Sequence, residues 1–212
     1  MLFLETGEWE KLIEEIRQCR KCPLHKTRKN PVPGEGSIET KVMFVGEAPG
    51  AREDEEGRPF VGAAGKLLTE LLESIGVKRE QVYITNVIKC RPPGNRDPTE
   101  EEIAACLPYL IRQIKLLQPR VIIALGRHAA KTLFKLAGLT WKNMTAMHGR
   151  VHEGVIEGIK VKIVATYHPA AALYYPKLRP VLENDFRDVI KHLITSSKET
   201  TGKKQRSLLD YI

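Results

Sequence analysis

Four short apolar runs, residues 41–45, 82–88, 121–125 and 160–165, constrain this chain more than any other feature. Continuous β-branched runs of this kind suit strands buried on both faces of a parallel sheet. Parallel neighbours need long crossovers, and helical patterns stand where crossovers are required, at residues 64–75, 100–117 and 127–136. The second opens with Thr99-Glu-Glu-Glu102, a capping box in which each end satisfies the other's backbone N–H. A further helix is expected at residues 8–18, a Pro/Gly-rich crossing at 30–37, a hairpin from 150–156 and 159–164, and a last helix at 180–194. The expected fold is a three-layer α/β/α sandwich around a central, mostly parallel four-stranded sheet. In such sheets ligands gather at the carboxyl ends of the strands, which directs attention to the loops beginning at Gly46, Asn86, Gly126 and Tyr167.

Lys and Arg outnumber Asp and Glu by 34 to 26, a balance that suits a polyanionic partner without specifying one. No apolar run approaches the roughly 20 residues that span a bilayer, and the first residues lack the basic start and apolar middle of a signal peptide. A cytoplasmic protein is expected. Residues 196–206, SSKETTGKKQR, have almost no apolar content and read as a tether. The chain therefore divides into a domain over residues 1–195 and a tail over 196–212.

Four cysteines need an explanation in a reducing compartment, where structural disulfides are rare. Cys19 and Cys22 sit on one turn, and Cys90 and Cys106 are brought in by a strand end and the helix after it. Four soft ligands from two regions can close around one tetrahedral zinc or one [4Fe–4S] cluster. Spacing does not choose between them. Arg17, Arg20, Lys21, Lys89 and Arg91 stand nearby to offset the negative charge of either centre. The competing reading takes Cys90 and Cys106 as core thiols, or has His25 complete a smaller site.

The strand-end segments are GEAPGAREDEEGRPFVG at 46–62, TNVIKCRPPGNRDP at 85–98, a plain ALGRHA at 124–129 and TYHPAAAL at 166–173. Together with the cysteine spacing they resemble the iron–sulfur (family four) uracil-DNA glycosylases of bacteria and archaea, over residues 19–194. The resemblance implies excision of uracil from DNA, with the nucleotide flipped into a pocket and its N-glycosidic bond hydrolysed. It also implies a [4Fe–4S] cluster on the four cysteines.

That reaction leaves a cationic sugar and an anionic uracil, so a site must stabilise both charges and deliver water. By the resemblance, His168 donates to uracil O2 as charge develops there, and Asn86 reads uracil N3–H and O4. Phe60 stacks the base, and the backbone at Ala48 and Pro49 lines the pocket. The best-known uracil glycosylases carry an aspartate at the Ala48 position and a tyrosine at the Gly50 position, so their jobs fall here to other residues. Glu47 is the candidate for positioning water or balancing the sugar cation, and Glu53 for crowding the C5 edge of the base; the two roles are exchangeable at this stage. Asp54, Glu55 and Glu56 are assigned to loop structure or solubility.

Arg91, Arg96, Lys177 and Arg179 are candidates for gripping phosphate, with Leu173 or Tyr174 as a wedge in the gap left by the flipped base. The closing QRSLLDYI places Gln205, Leu208 and Tyr211 at the spacing of the peptide that binds ring-shaped sliding clamps of the PCNA type, with Ile212 in place of the usual second aromatic. That tail favours an archaeal source. Two other readings compete: a non-catalytic, metal-stapled DNA-binding module recruited to the clamp, and a glycosylase of broader base range for which Ala48 and Gly50 leave room.

Overall fold

The computed structural model describes residues 2–196. All four buried runs are strands, β2 (Val42–Gly46), β3 (Tyr83–Asn86), β4 (Val121–Leu125) and β6 (Ile159–Thr166). They pair in parallel in the order β3-β2-β4-β6. The sheet has six strands rather than four, because each edge gains an antiparallel strand. One is the two-residue β1 (Glu35–Gly36) beside β3, and the other is β5 (Val151–Ile156), the first arm of the expected hairpin, beside β6. The edge strand β5 keeps three residues exposed in alternation, as an edge with one wet face should.

The helices cover both faces. α1 (Leu2–Gln18), α4 (Glu100–Leu117) and α5 (Arg127–Leu136) bury Leu12, Leu110, Ile114 and Phe134 against Met43, Val45, Tyr83 and Ile122. α3 (Ala63–Ser74) and α8 (Leu178–Asp185) bury Leu68, Leu72 and Leu182 against Phe44, Ile84 and Ile123 on the other face. Neighbouring residues of one strand thus serve opposite layers, the consequence of a two-residue side-chain period. The expected last helix is interrupted, since α8 passes into a π-helical segment over Phe186–Ile190 before helix resumes. The capping box at Thr99 and Glu102 is present on both sides. Two short helices remain on the functional edge, α2 (Ala51–Glu56) and α7 (Pro169–Tyr174), besides α6 (Met144–Met147). Among the described residues no helix is long and apolar enough to cross a membrane. The clamp-type segment at Gln205, Leu208, Tyr211 and Ile212 lies outside the described residues.

Chain order moves from β2 to β3 on one side and then to β4 on the other, so successive crossovers part on either side of β2 and open a crevice at the carboxyl ends. Phe44 lies at the centre of this arrangement, fully buried and stacked on Phe186 at 6.1 Å between ring centroids. Phe44→Ala is expected to destabilise the fold by about 3–5 kcal/mol, from lost burial and the cavity left behind, measured by chemical denaturation.

Candidate active site

A cleft of about 390 Å³ opens at that crevice, lined from four chain segments by Glu47, Ala48, Pro49, Gly50, Glu53, Phe60, Asn86, Asp97, His168 and Tyr174 among others. Asn86 ends β3 and is almost wholly buried, 1% exposed. Among the described residues its Oδ1 finds no hydrogen-bond partner. A buried acceptor left unpaired costs about 1–3 kcal/mol, and such groups mark places where a ligand completes the pairing. Gly46 is what lets the amide sit there, since a Cβ at that position would fall 2.4 Å from Oδ1 and 2.6 Å from the Phe60 ring.

The stretch after β2, read as one acidic loop, is partly helical, and its acids have separate tasks. Asp54 is buried and accepts the N–H groups of Lys29 and Asn30, tying the crossing segment to α2. Glu53 accepts Val61 N–H and Gly62 N–H at 2.9 Å each through Oε1, and Gly50 N–H at 3.1 Å through Oε2. Its carboxylate therefore organises the backbone on both sides of α2. It also takes the space of the side chain that Gly50 lacks, because a Cβ on Gly50 would lie 2.7 Å from Glu53 Oε2.

Phe60 has φ of +52°, a left-handed conformation uncommon outside glycine. Surrounding contacts hold it there. Arg79, a residue the sequence did not single out, donates to the carbonyls of Pro59 and Phe60 and is itself held by Glu35 at 2.7 Å. Gly65 lets the first turn of α3 meet the same carbonyl, as a Cβ there would fall 1.8 Å from Phe60 O. The Phe60 ring packs against the His168 ring, 5.5 Å between centroids and 30° between planes.

His168 is the N-cap of α7, with Nδ1 accepting Ala170 N–H at 3.1 Å. Burial pushes its pKa down to about 4, against a smaller upward pull from the negative charge of Glu53. At neutral pH the ring is therefore uncharged, and because Nδ1 accepts, its one proton sits on Nε2 as a donor. Asn86, Phe60 and His168, chosen from three separate strand ends, line one cleft as expected.

The segment read as plain, ALGRHA, contributes as well. His128 Nε2 lies 3.1 Å from Asp97 Oδ2 and 4.0 Å from Glu47 Oε2, and Arg127 reaches Asp97 at 3.0 Å. Neither His128 nor Asp97 is prominent in sequence, since their carriers are 31 residues apart and 50 or more from Glu47. Burial raises the pKa of Glu47 above the usual carboxylate range, and Asp97 adds to this, while His128 and Arg127 pull it back.

Comparison with known proteins shows the family. The model of the "Uracil DNA glycosylase superfamily" matches residues 33–193. A type-4 uracil-DNA glycosylase of Archaeoglobus fulgidus is 53% identical over 201 residues, covering 95% of this chain and 97% of the relative. The chain belongs to the type-4 uracil-DNA glycosylase family. A type-4 uracil-DNA glycosylase of Pyrobaculum aerophilum is 57% identical over 83% of this chain and 90% of its own length. One from the bacterium Thermotoga maritima is 48% identical over 77% and 82% respectively.

The candidate DNA contacts of this family member are less uniform than the pocket. Arg96 is committed to Glu102 through two contacts at 2.6 and 2.8 Å, reinforcing the N-terminus of α4, and Arg179 pairs with both Glu183 and Glu70. Arg91 bonds Asn95 Oδ1. In the structure described here these guanidinium groups are engaged by the protein's own side chains. Tyr174, by contrast, is 81% exposed at the rim of the cleft, beside exposed Leu173 and Tyr175.

Cys19, Cys22, Cys90 and Cys106 line one small cavity between α1, the β3 end and α4, and all four are free thiols. His25 lines the same cavity, with its Nδ1 bonded to the Cys22 carbonyl at 2.6 Å. Lys21 and Lys89, two of the expected basic neighbours, line the cavity, and Arg28 joins them. Arg28 donates to Cys90 Sγ at 3.0 Å, and the backbone N–H of Lys89 donates to Cys106 Sγ at 3.3 Å. The Lys89 ammonium turns the other way, to Thr85 Oγ1, Asn86 O and Gln113 Oε1 at 2.6–2.7 Å. Burial pushes Lys89 down to about 7, yet three oxygen acceptors match the three N–H bonds of an ammonium. This buried tripod anchors the carbonyl of Asn86 itself.

Burial raises the thiols of Cys22 and Cys90, and that of Cys106 to about 11, so a bound cation is what would exchange for their protons. The donor set fits a four-thiolate centre.

Gly65→Ala is expected to displace the Phe60 carbonyl and with it the ring that packs on His168. Uracil release should fall at least about tenfold, while far-UV circular dichroism stays native, since the clash is confined to one loop.

Proposed function

We infer that this protein is a monofunctional uracil-DNA glycosylase that begins base excision repair by hydrolysing the bond between a flipped uracil and its deoxyribose. The observation that carries the reading is the unpaired Oδ1 of buried Asn86, facing into a cleft shared with the Phe60 ring and a neutral His168. Oδ1 accepts N3–H of uracil and the amide NH2 donates to O4, a pattern that cytosine reverses. A site built for that pairing rejects the wrong base strongly, because its buried polar atoms would stay unpaired. Phe60 stacks the base, and Glu53, occupying the space beside Gly50, crowds its C5 edge against thymine.

In the chemical step water bonds to C1′ and gives up a proton to the Glu47 carboxylate or to bulk water, as the C1′–N1 bond breaks and its electron pair leaves on uracil. His168 Nε2–H donates to O2 as that charge grows, while Glu47 orients the water or balances the cationic sugar. A neutral donor that keeps its proton stabilises an oxyanion at no cost in reorganisation, worth of order 10²-fold or more in rate. Leu173 or Tyr174 fills the gap in the duplex, and Arg91, Arg96, Lys177 and Arg179 reach phosphate, the paired ones by exchanging carboxylate for phosphate. A non-catalytic DNA-binding module would leave the Asn86 acceptor without a purpose.

His168→Ala and Asn86→Ala should each lower uracil release from a uracil-containing oligonucleotide by about 10²-fold or more with folding intact, and full activity in both would overturn the reading. His168 itself should add no inflection to the wild-type rate near pH 6.5, the ordinary histidine value, because it stays neutral down to about 4. The same depressed pKa makes the fold lose stability as pH falls from about 6.5 toward 4, where the unfolded chain binds the proton first.

A [4Fe–4S] cluster held by Cys19, Cys22, Cys90 and Cys106 would supply four thiolate bonds that pin α1, the β3 end and α4 together. The resemblance to the iron–sulfur family favours a cluster over a single zinc. Purified protein should then be brown and absorb near about 400 nm, and a colourless protein with stoichiometric zinc would refute the assignment. The domain over 1–195 acts on DNA, and the tail over 196–212 tethers it to a PCNA-type sliding clamp through Gln205, Leu208, Tyr211 and Ile212.

A further inference from the structure

Three side chains meet at the rim of the cleft from three places in the chain: Glu47 at the end of β2, Asp97 ahead of α4, and His128 in the first turn of α5. Their ligand atoms all lie within 4.8 Å of one another. His128 Nε2 is the shared point, 3.1 Å from Asp97 Oδ2 and 4.0 Å from Glu47 Oε2, with Arg127 Nε donating toward the same nitrogen at 3.0 Å. A proton on Nε2 places a cation between two carboxylates. Without that proton the nitrogen accepts from Arg127 instead, and the cation beside Glu47 is gone.

We propose that His128, oriented by Asp97, is a positioning residue that keeps the Glu47 carboxylate ionised and aimed into the cleft. The proposal rests on the reading of Glu47 as the group that serves the water or the sugar cation, and it assigns His128 and Asp97 a role of their own.

Glu47 needs such a partner. It is half-buried at the mouth of the cleft, and burial is the largest influence on it, favouring the protonated acid. A protonated Glu47 can neither attract a water proton nor balance a sugar cation. Of the charged groups that face it, Asp97 worsens the problem and His128 and Arg127 relieve it, His128 more than Arg127. Glu53, Arg96 and His168 line the same cleft, but Arg96 is spent on Glu102 and Glu53 on backbone N–H groups. Arg127 is largely exposed and bound to Asp97, so solvent screens it. The imidazole is more enclosed and nearer. Asp97 orients it by accepting from the protonated ring, which accounts for an acid placed beside another acid.

The test is the pH profile of single-turnover uracil release for wild type, Glu47→Gln and His128→Gln. The glutamine at 128 keeps much of the bulk and removes the charge. In wild type the rate should fall on the acid side as Glu47 takes its proton. Glu47→Gln should remove that limb, leaving only the step near about 4 that belongs to His168. In His128→Gln the limb should move to higher pH by on the order of one unit, the effect of a unit charge at 4.0 Å after solvent screening. The loss of rate should accordingly be greater at pH 5 than at pH 8. An equal loss at both pH values, the mark of a merely structural histidine, would overturn the proposal, as would an unmoved limb. If Glu47→Gln keeps the wild-type rate and limb, the Glu47 reading fails, and the role of His128 falls with it; if only His128→Gln behaves as wild type, the Glu47 reading stands and the positioning role alone is refuted.

Discussion

The parallel register of four buried strands is the constraint on which the rest depends. Gly46 stands opposite Asn86, and Leu125 opposite Thr166, so the chain leaves the sheet at one level along one edge. Parallel pairing forces each return through a helix, and crossovers that part on either side of β2 leave the crevice between them. Residues at positions 46–60, 86, 97, 128 and 168 meet because their strands end together.

A buried sheet end also needs its polar groups paired, and the chain does this largely with side chains outside the chemical step. Lys89 gathers Thr85 Oγ1, Gln113 Oε1 and the Asn86 carbonyl, and Gln113 passes on to Pro33 O and the Tyr83 hydroxyl. Glu53 and Arg79 do the same for the loop that carries Phe60. Against this background of satisfied donors and acceptors, the single unpaired Oδ1 of Asn86 in the cleft is informative, because its neighbours show that the fold can pair what it buries. The left-handed backbone at Phe60 belongs to the same economy, strain held by surrounding contacts at a place where the ring lines the cleft.

Much of this was readable in the residues. The four strands, the helices between them and the capping box at Thr99 follow from local pattern, and the cleft residues Phe60, Asn86 and His168 from the family resemblance of the segments at strand ends. What local pattern missed shares one character: Arg79, Asp97 and His128 act through partners distant in sequence, and isolated polar residues look like ordinary surface. The acidic stretch after β2 shows the same limit. As sequence it is a run of carboxylates, and in the fold Asp54 is buried against Lys29 and Asn30, Glu53 holds two loop ends, and Glu47 answers to a histidine.

The sequence by itself determined the layers, the strand ends and the residue types available at each, because period and turn chemistry are local properties of the chain. Tertiary structure decided which charges are spent and which stand free: Arg96 and Arg179 on carboxylates, Arg28 on a cysteine sulfur, the Lys89 ammonium on strand β3, and His128 beside Glu47. The reason is physical. A charge acts through distance and burial, with hydrogen-bond reach near 3 Å, and neither quantity exists until strands far apart in the chain have been brought to one edge.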